Sequence, residues 1–278
     1  MHVPKSAGMS FHAALEDALS SGAVAPRRMD RSIFCDFRDF EHLPHSLRDQ
    51  IATNAHEVNS LHQYELVSGH FSLATLTQIT VMSAIGTVLR EPRARLISLY
   101  MYWRTPKIFE AVLPYSAHHH ARLPFADFLT EPRVAAAVDN QVCRMLLYGD
   151  PRIPDDEFIA NHDIHGVASD AIAQLDSLGF VGILELGADT WQGLGQFFGV
   201  ELEPRSVNVT GEADSPLPGP PGEQLFTAKA FESLEQRTSA DRLVYDHALM
   251  RAGLAASDRL ELTETALATQ IQRWRLQH

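Results

Sequence analysis

Lys5, Ser6, Gly8 and Ser10 stand within six residues, in the stretch KSAGMS, just ahead of Phe11, Leu15, Ala18 and Leu19 at helical spacing. A helix start carries unpaired backbone N–H groups and the positive end of a dipole, so a loop of small residues feeding it suits an anion. Here the amides of Ser6, Ala7, Gly8, Met9 and Ser10 are the candidate donors, Lys5 adds a full positive charge and Ser10 a hydroxyl. A phosphate or sulfate group is the ligand such equipment fits. The order is not GxxxxGK[ST], because the lysine precedes the glycine. The same residues also read as a capped surface helix, with Ser6 as N-cap and Lys5 in solvent.

A second group lies in GTVLREPRARLISLYMYWR, which reads as a strand ending at Arg90 and a proline-started helix carrying Ser98. Ligands of α/β proteins bind at the carboxyl edge of a parallel sheet, where both this junction and the first loop fall. Arg90 is suited to grip a second phosphate in bidentate fashion, with Ser98 about two helical turns further along. The plainer alternative pairs Arg90 with Glu91 or Glu110 and leaves Ser98 on a helix face. Between the two groups, SGHFSL places His70 just after a strand on the same edge. Histidine titrates near working pH, which makes His70 a candidate general base, or else a histidine bonded within a turn.

These residues need a scaffold. Short apolar runs at Ile33 to Phe37, Tyr64 to Ser68, Gly86 to Leu89 and Phe180 to Leu184 read as strands. Helical patterns cover 8 to 20, the stripe Leu96, Tyr100 and Trp103, and 124 to 130, 137 to 148, 165 to 178, 187 to 198, 227 to 236 and 239 to 274. The alternation predicts a single α/β domain over 1–278, with a mainly parallel sheet between helical layers. A Pro/Gly-rich loop over 203–223 and a C-terminal helical segment over 239–274 complete it.

HVPKSAGMS resembles the HIPKTAGTS loop of carbohydrate-type, heparan 2-O-like sulfotransferases, and VLREPRARLISLY resembles their LRDPxxRxxSxY run. The two stretches stand in the family's order, about 85 residues apart. LVSGHFSL, DNQVCRMLLYGD, FVGILE and GQFFGVE resemble further parts, so the likeness runs from His2 to about Tyr245. It implies a three-layer αβα, P-loop-like sulfotransferase fold and the co-substrate PAPS, 3'-phosphoadenosine 5'-phosphosulfate, with no metal. Lys5, Ser6, Ala7, Gly8, Met9 and Ser10 would hold the 5'-phosphosulfate, and Arg90 with Ser98 the 3'-phosphate. Lys5 would offset charge on the leaving phosphate, and the family's use of a histidine in a similar GH stretch supports His70 as the base. Met9 stands where the family commonly has threonine. Several apolar residues usually precede the HIPK, which here follows Met1 directly; that suggests a truncated start and a less ordered opening loop.

The implied reaction is sulfuryl transfer to a small-molecule or glycan acceptor, with a carbohydrate hydroxyl expected. The alternatives are a lipid- or polyketide-like hydroxyl, or a catalytically silent nucleotide-binding or scaffold protein of the same fold. A P-loop NTPase is disfavoured by the missing GxxxxGK[ST] and by the lack of a metal-binding acidic strand. A net charge of −12 argues against nucleic acid and anionic membranes as partners, though not against a local basic pocket. Cys35 and Cys143 form no CxxC, which speaks for a reducing cytoplasm. No stretch reaches the roughly 18 apolar residues of a membrane span, and no signal-peptide pattern opens the chain. HEVNSLH is similar to HExxH but has the wrong spacing, and three adjacent histidines, His118 to His120, cannot all face one ion.

Overall fold

The computed structural model describes residues 1–19, 22–26, 28–30, 48–52, 54–105, 117–205 and 226–277. Its strands form two small parallel sheets. In the first, β1 (Arg28–Asp30) lies between β2 (Ile51–Ala52) and β3 (Gly69–His70), with Met29 opposite both Ile51 and His70. Gly69 is required there, because a Cβ would come within 1.9 Å of the Arg28 carbonyl oxygen. In the second, β4 (Gly86–Leu89) pairs with β5 (Phe180–Ile183), Gly86 opposite Phe180. Residues 1–3 run between the sheets: the His2 amide donates to Gly69 O at 2.9 Å and the Met1 nitrogen to Gly86 O at 2.7 Å.

The longer helices are α1 (Gly8–Ala18), α2 (Pro92–Trp103), α3 (Gln141–Leu146), α4 (Ile164–Asp176), α5 (Ala188–Phe198), α6 (Ala228–Arg237), α7 (Ser239–Arg251) and α8 (Ala256–Gln277). Side chains alternate across a strand, so Val88 and Leu89 of β4 enter different clusters. Val88 packs with Phe11 and Leu15 of α1 and Leu194 of α5. Leu89 joins Val3, Phe71 and Ile183 and meets Val142 of α3, Val167 of α4 and Val244 of α7. A third cluster seats α2 on α6 and α8 through Leu96, Tyr100, Leu234, Leu267 and Trp274.

Parallel strands with helices on both sides of β4 match the α/β expectation in its coarse form. Among the described residues the run at Tyr64 to Ser68 makes one bridge, Leu66 with Val24, because a tight helical turn reaches to Gln63 and pairing is concentrated at Gly69–His70. The helix expected over 137 to 148 is broken at Asn140, whose left-handed backbone (φ 45°) turns its side-chain oxygen onto the amides of Ala240 and Asp241 at the start of α7. The segment over 239–274 divides into α7 and α8 at Gly253, whose φ of 86° glycine adopts without strain. The strand expected at Ile33 to Phe37, Cys35, and 206–223 of the Pro/Gly-rich loop lie outside the described residues. No helix among the described residues is long and apolar enough to cross a membrane.

Candidate functional site

The opening loop turns through two left-handed residues, Lys5 (φ 67°) and Ala7 (φ 58°), before α1 begins at Gly8. Non-glycine residues meet a steric cost in that region, so two so close together mark a loop held in a specific shape. The Ser10 and Phe11 amides both donate to Ala7 O, at 2.9 and 3.2 Å, and no side chain caps the helix. The amides of Gly8 and Met9 therefore have no carbonyl within the helix to bond. Ser6, expected as either an N-cap or an anion ligand, does not cap: its hydroxyl is buried and, among the described residues, has no hydrogen-bond partner. Ser10 is buried on the first turn of α1. Gly8 is needed for close approach, since a Cβ would fall 1.9 Å from the His2 imidazole.

Lys5 is half-buried. Its ammonium lies 3.9 Å from the centroid of the Tyr102 ring, an attractive cation–aromatic contact. Burial, followed by the nearby Arg90 charge, brings its pKa down to about 8. Arg90 follows β4 directly and faces the loop: Nη1 donates to Lys5 O at 3.0 Å and Nη2 to Gln270 Oε1 of α8 at 2.7 Å. It forms no ion pair with Glu91, although the charges of Glu185 and Glu91 act on it, and Glu110 lies outside the described residues. The Glu91 carboxylate caps α2 at the Ala94 amide (2.6 Å) and binds Arg93 Nε (2.7 Å). Glu185, just past β5, steadies this corner by accepting from the Glu91 amide at 3.0 Å and the Tyr245 hydroxyl at 2.9 Å.

Helix α2 is buried on every side but one stripe, and that stripe is Ser98 and Tyr102, one turn apart. The Lys5 contact fixes where the stripe points. Ser98 thus shares a helix face with the residue that touches Lys5, as a place beside the anion loop requires. Arg95, one turn before Leu99, is wholly buried; its Nε and Nη1 have no partner among the described residues, and its pKa is drawn down to about 10. Lys5 feels the Arg90 charge and so does Arg95, while the carboxylates of Glu185 and Glu91 act on Arg90 and that of Asp241 on Arg95.

His70 ends β3. Its Nδ1 lies 2.8 Å from His2 O. A carbonyl only accepts, so Nδ1 carries the proton and Nε2 is the basic nitrogen. The rings of His2 and His70 pack at a tilt of 31°, with centroids 4.4 Å apart. Burial lowers both pKa values, and the Lys5 charge adds to the effect, so His70 is neutral at working pH. A neutral imidazole of fixed tautomer is the form a general base needs.

Of the residues expected at the site, Lys5, Ser6, Ala7, Gly8, Met9 and Ser10 form the loop and first turn, Arg90 bonds Lys5 O, His70 feels the Lys5 charge, and Ser98 is one turn from Tyr102, which Lys5 touches. The sequence reading missed Tyr102, which reads as one more apolar position of a core helix, and Gln270, which is 180 positions from the arginine it binds. His118 packs on Trp103 with centroids 4.3 Å apart, and burial lowers its pKa to about 4. Among the described residues, no cluster of His, Cys, Asp and Glu is arranged to hold a metal ion. Neither a family model, nor a curated protein, nor a solved structure matches the chain.

Proposed function

We propose that the protein is a PAPS-dependent sulfotransferase of three-layer αβα form, with residues 1–3 as the strand that joins β3 to β4. The observation that carries the reading is the buried Ser6 hydroxyl, without a hydrogen-bond partner among the described residues, next in the chain to the desolvated Lys5 and to a helix start that no side chain caps. Polar groups are not left unsatisfied in a protein interior without cost, and a bound anion would satisfy all three. Phosphosulfate fits this donor set, and a terminal phosphate fits Arg90 with Ser98.

PAPS supplies an activated sulfuryl group, whose sulfur bonds to the acceptor oxygen as its bond to the phosphate oxygen breaks. The loop amides and Ser6 hold the transferred end in line, so the step becomes one of positioning and charge. His70 Nε2 takes the proton released by the acceptor hydroxyl. Lys5 leaves the Tyr102 ring and meets the negative charge growing on the leaving phosphate oxygen. The acceptor is an alcohol, with a carbohydrate hydroxyl first and a lipid- or polyketide-like hydroxyl second. A catalytically silent nucleotide-binding protein would keep the anion site but bind PAP without turnover.

Calorimetric titration with PAP and with AMP tests the reading, because the two differ only by the 3'-phosphate. PAP should bind at least tenfold more tightly, about 1.4 kcal/mol, and Arg90→Ala should remove that advantage. Equal affinity for PAP and AMP would dismiss the assignment of Arg90 and Ser98.

A further inference from the structure

The resemblance to sulfotransferases ends near Tyr245, yet the helix beyond it reaches into the site. Helix α8 lies along α2. Leu267 and Trp274 are buried in the shared cluster, and Gln270 is 3% exposed between them. Gln270 Oε1 accepts from Arg90 Nη2 at 2.7 Å, while Nε2 lies 2.9 Å from Met101 Sδ. The amide is thereby fixed from both ends, and it holds one edge of the guanidinium while Lys5 O holds the other. Two neutral acceptors orient Arg90 without cancelling its charge. A carboxylate in either place would have done so.

Arg273 follows Gln270 by three positions and therefore shares its helix face. It is exposed, it pairs with no carboxylate among the described residues, and its charge is felt by Arg90. Arg90 also feels the carboxylates of Glu185 and Glu91, which offset part of the repulsion between the two guanidinium groups, and a shared anion would offset the rest. In this chain most described arginines near the surface are paired: Arg152 with Asp150, Arg251 with Asp176, Arg259 with Asp246.

We infer that α8 forms one wall of the second anion subsite, with Gln270 positioning Arg90 and Arg273 contributing a second guanidinium to the ligand. This rests on the sulfotransferase reading and deepens it: two cations suit a terminal phosphomonoester, which is doubly charged near neutral pH, over a singly charged diester or a neutral ribose. The ligand class is a nucleotide carrying a phosphomonoester away from its reacting end.

The experiment is titration of PAP and AMP into wild type, Arg273→Gln and Arg273→Lys. Arg273 is on the surface, so the variants keep the fold. Arg273→Gln should weaken PAP about tenfold and leave AMP unchanged, and Arg273→Lys should recover part of the loss, since lysine keeps the charge without the fork. An equal loss for both nucleotides would mark Arg273 as merely structural, and no loss for either would remove it from the site; each result overturns the inference alone. If wild type does not distinguish PAP from AMP, the sulfotransferase reading fails first and takes the subsite with it. Gln270→Leu serves as the companion: it should reduce the PAP-to-AMP preference, and an unchanged preference in a folded variant would deny the positioning role.

Discussion

Two buried polar clusters of this molecule differ in how completely they are satisfied. Around α3, Asp139 accepts from Arg144 Nη2 at 2.8 Å, the Ile159 amide at 2.8 Å and Asn140 Nδ2 at 3.1 Å. Asp241 accepts from the amides of Val142 and Cys143 at 3.0 and 2.9 Å, and Asn140 returns the bond to α7. The loop cluster is the opposite. Among the described residues the Ser6 hydroxyl has no hydrogen-bond partner, and the Lys5 ammonium lies against the Tyr102 ring. Around α3 the carboxylates are met from several sides, although Arg237 Nε and two Arg95 nitrogens have no partner there among the described residues. Such a network fixes a fold, whereas an unmet hydroxyl and ammonium keep capacity for something the chain does not itself supply. The contrast assigns the first cluster to architecture and the second to function.

The contrast predicts opposite consequences for mutation. Asp139→Ala strips the buried Arg144 of its carboxylate and should cost about 3–5 kcal/mol of stability, read from chemical denaturation. A loss below about 1 kcal/mol would show that the Asp139 cluster does not hold α3, α6 and α7 together. His70→Ala should lower turnover by about 10² to 10⁴ while PAP binding and stability stay near wild type. If PAP binding is lost with it, His70 belongs to the nucleotide site and the base lies elsewhere.

Much of this division was legible in the sequence, and the reason is local. The helix start after KSAG, the proline opening α2, and the parallel runs at Gly86 and Phe180 are signalled by neighbouring residues. Their side chains meet because parallel strands end on one edge. The cluster around α3 was hidden: DNQVCR looked like an uninterrupted helix, and only the amides of Ala240 and Asp241, 100 and 101 positions away and donating to Asn140 Oδ1, explain why the chain turns at Asn140. Gln270 and Tyr102 were hidden for the same reason. A glutamine on a long helix and a tyrosine on a core helix carry no pattern that announces a partner.

Proton-linked binding at Lys5 tests the central claim most directly. Burial, and then the Arg90 charge, bring the lysine's pKa down to about 8, and an anion must bind its charged form. The sign follows from that: below about pH 8 the ammonium is present and affinity is full, and above it each unit of pH should weaken PAP by up to about tenfold until the complexed lysine itself titrates. Calorimetric titration of PAP from pH 6.5 to 9.5, in wild type and in Lys5→Met, gives the answer. The account predicts a wild-type affinity that falls as pH rises through about 8, and a weaker, pH-flat affinity in Lys5→Met across that range. A wild-type profile as flat as that of Lys5→Met would contradict it, for Lys5 would then not be the charge that meets the anion.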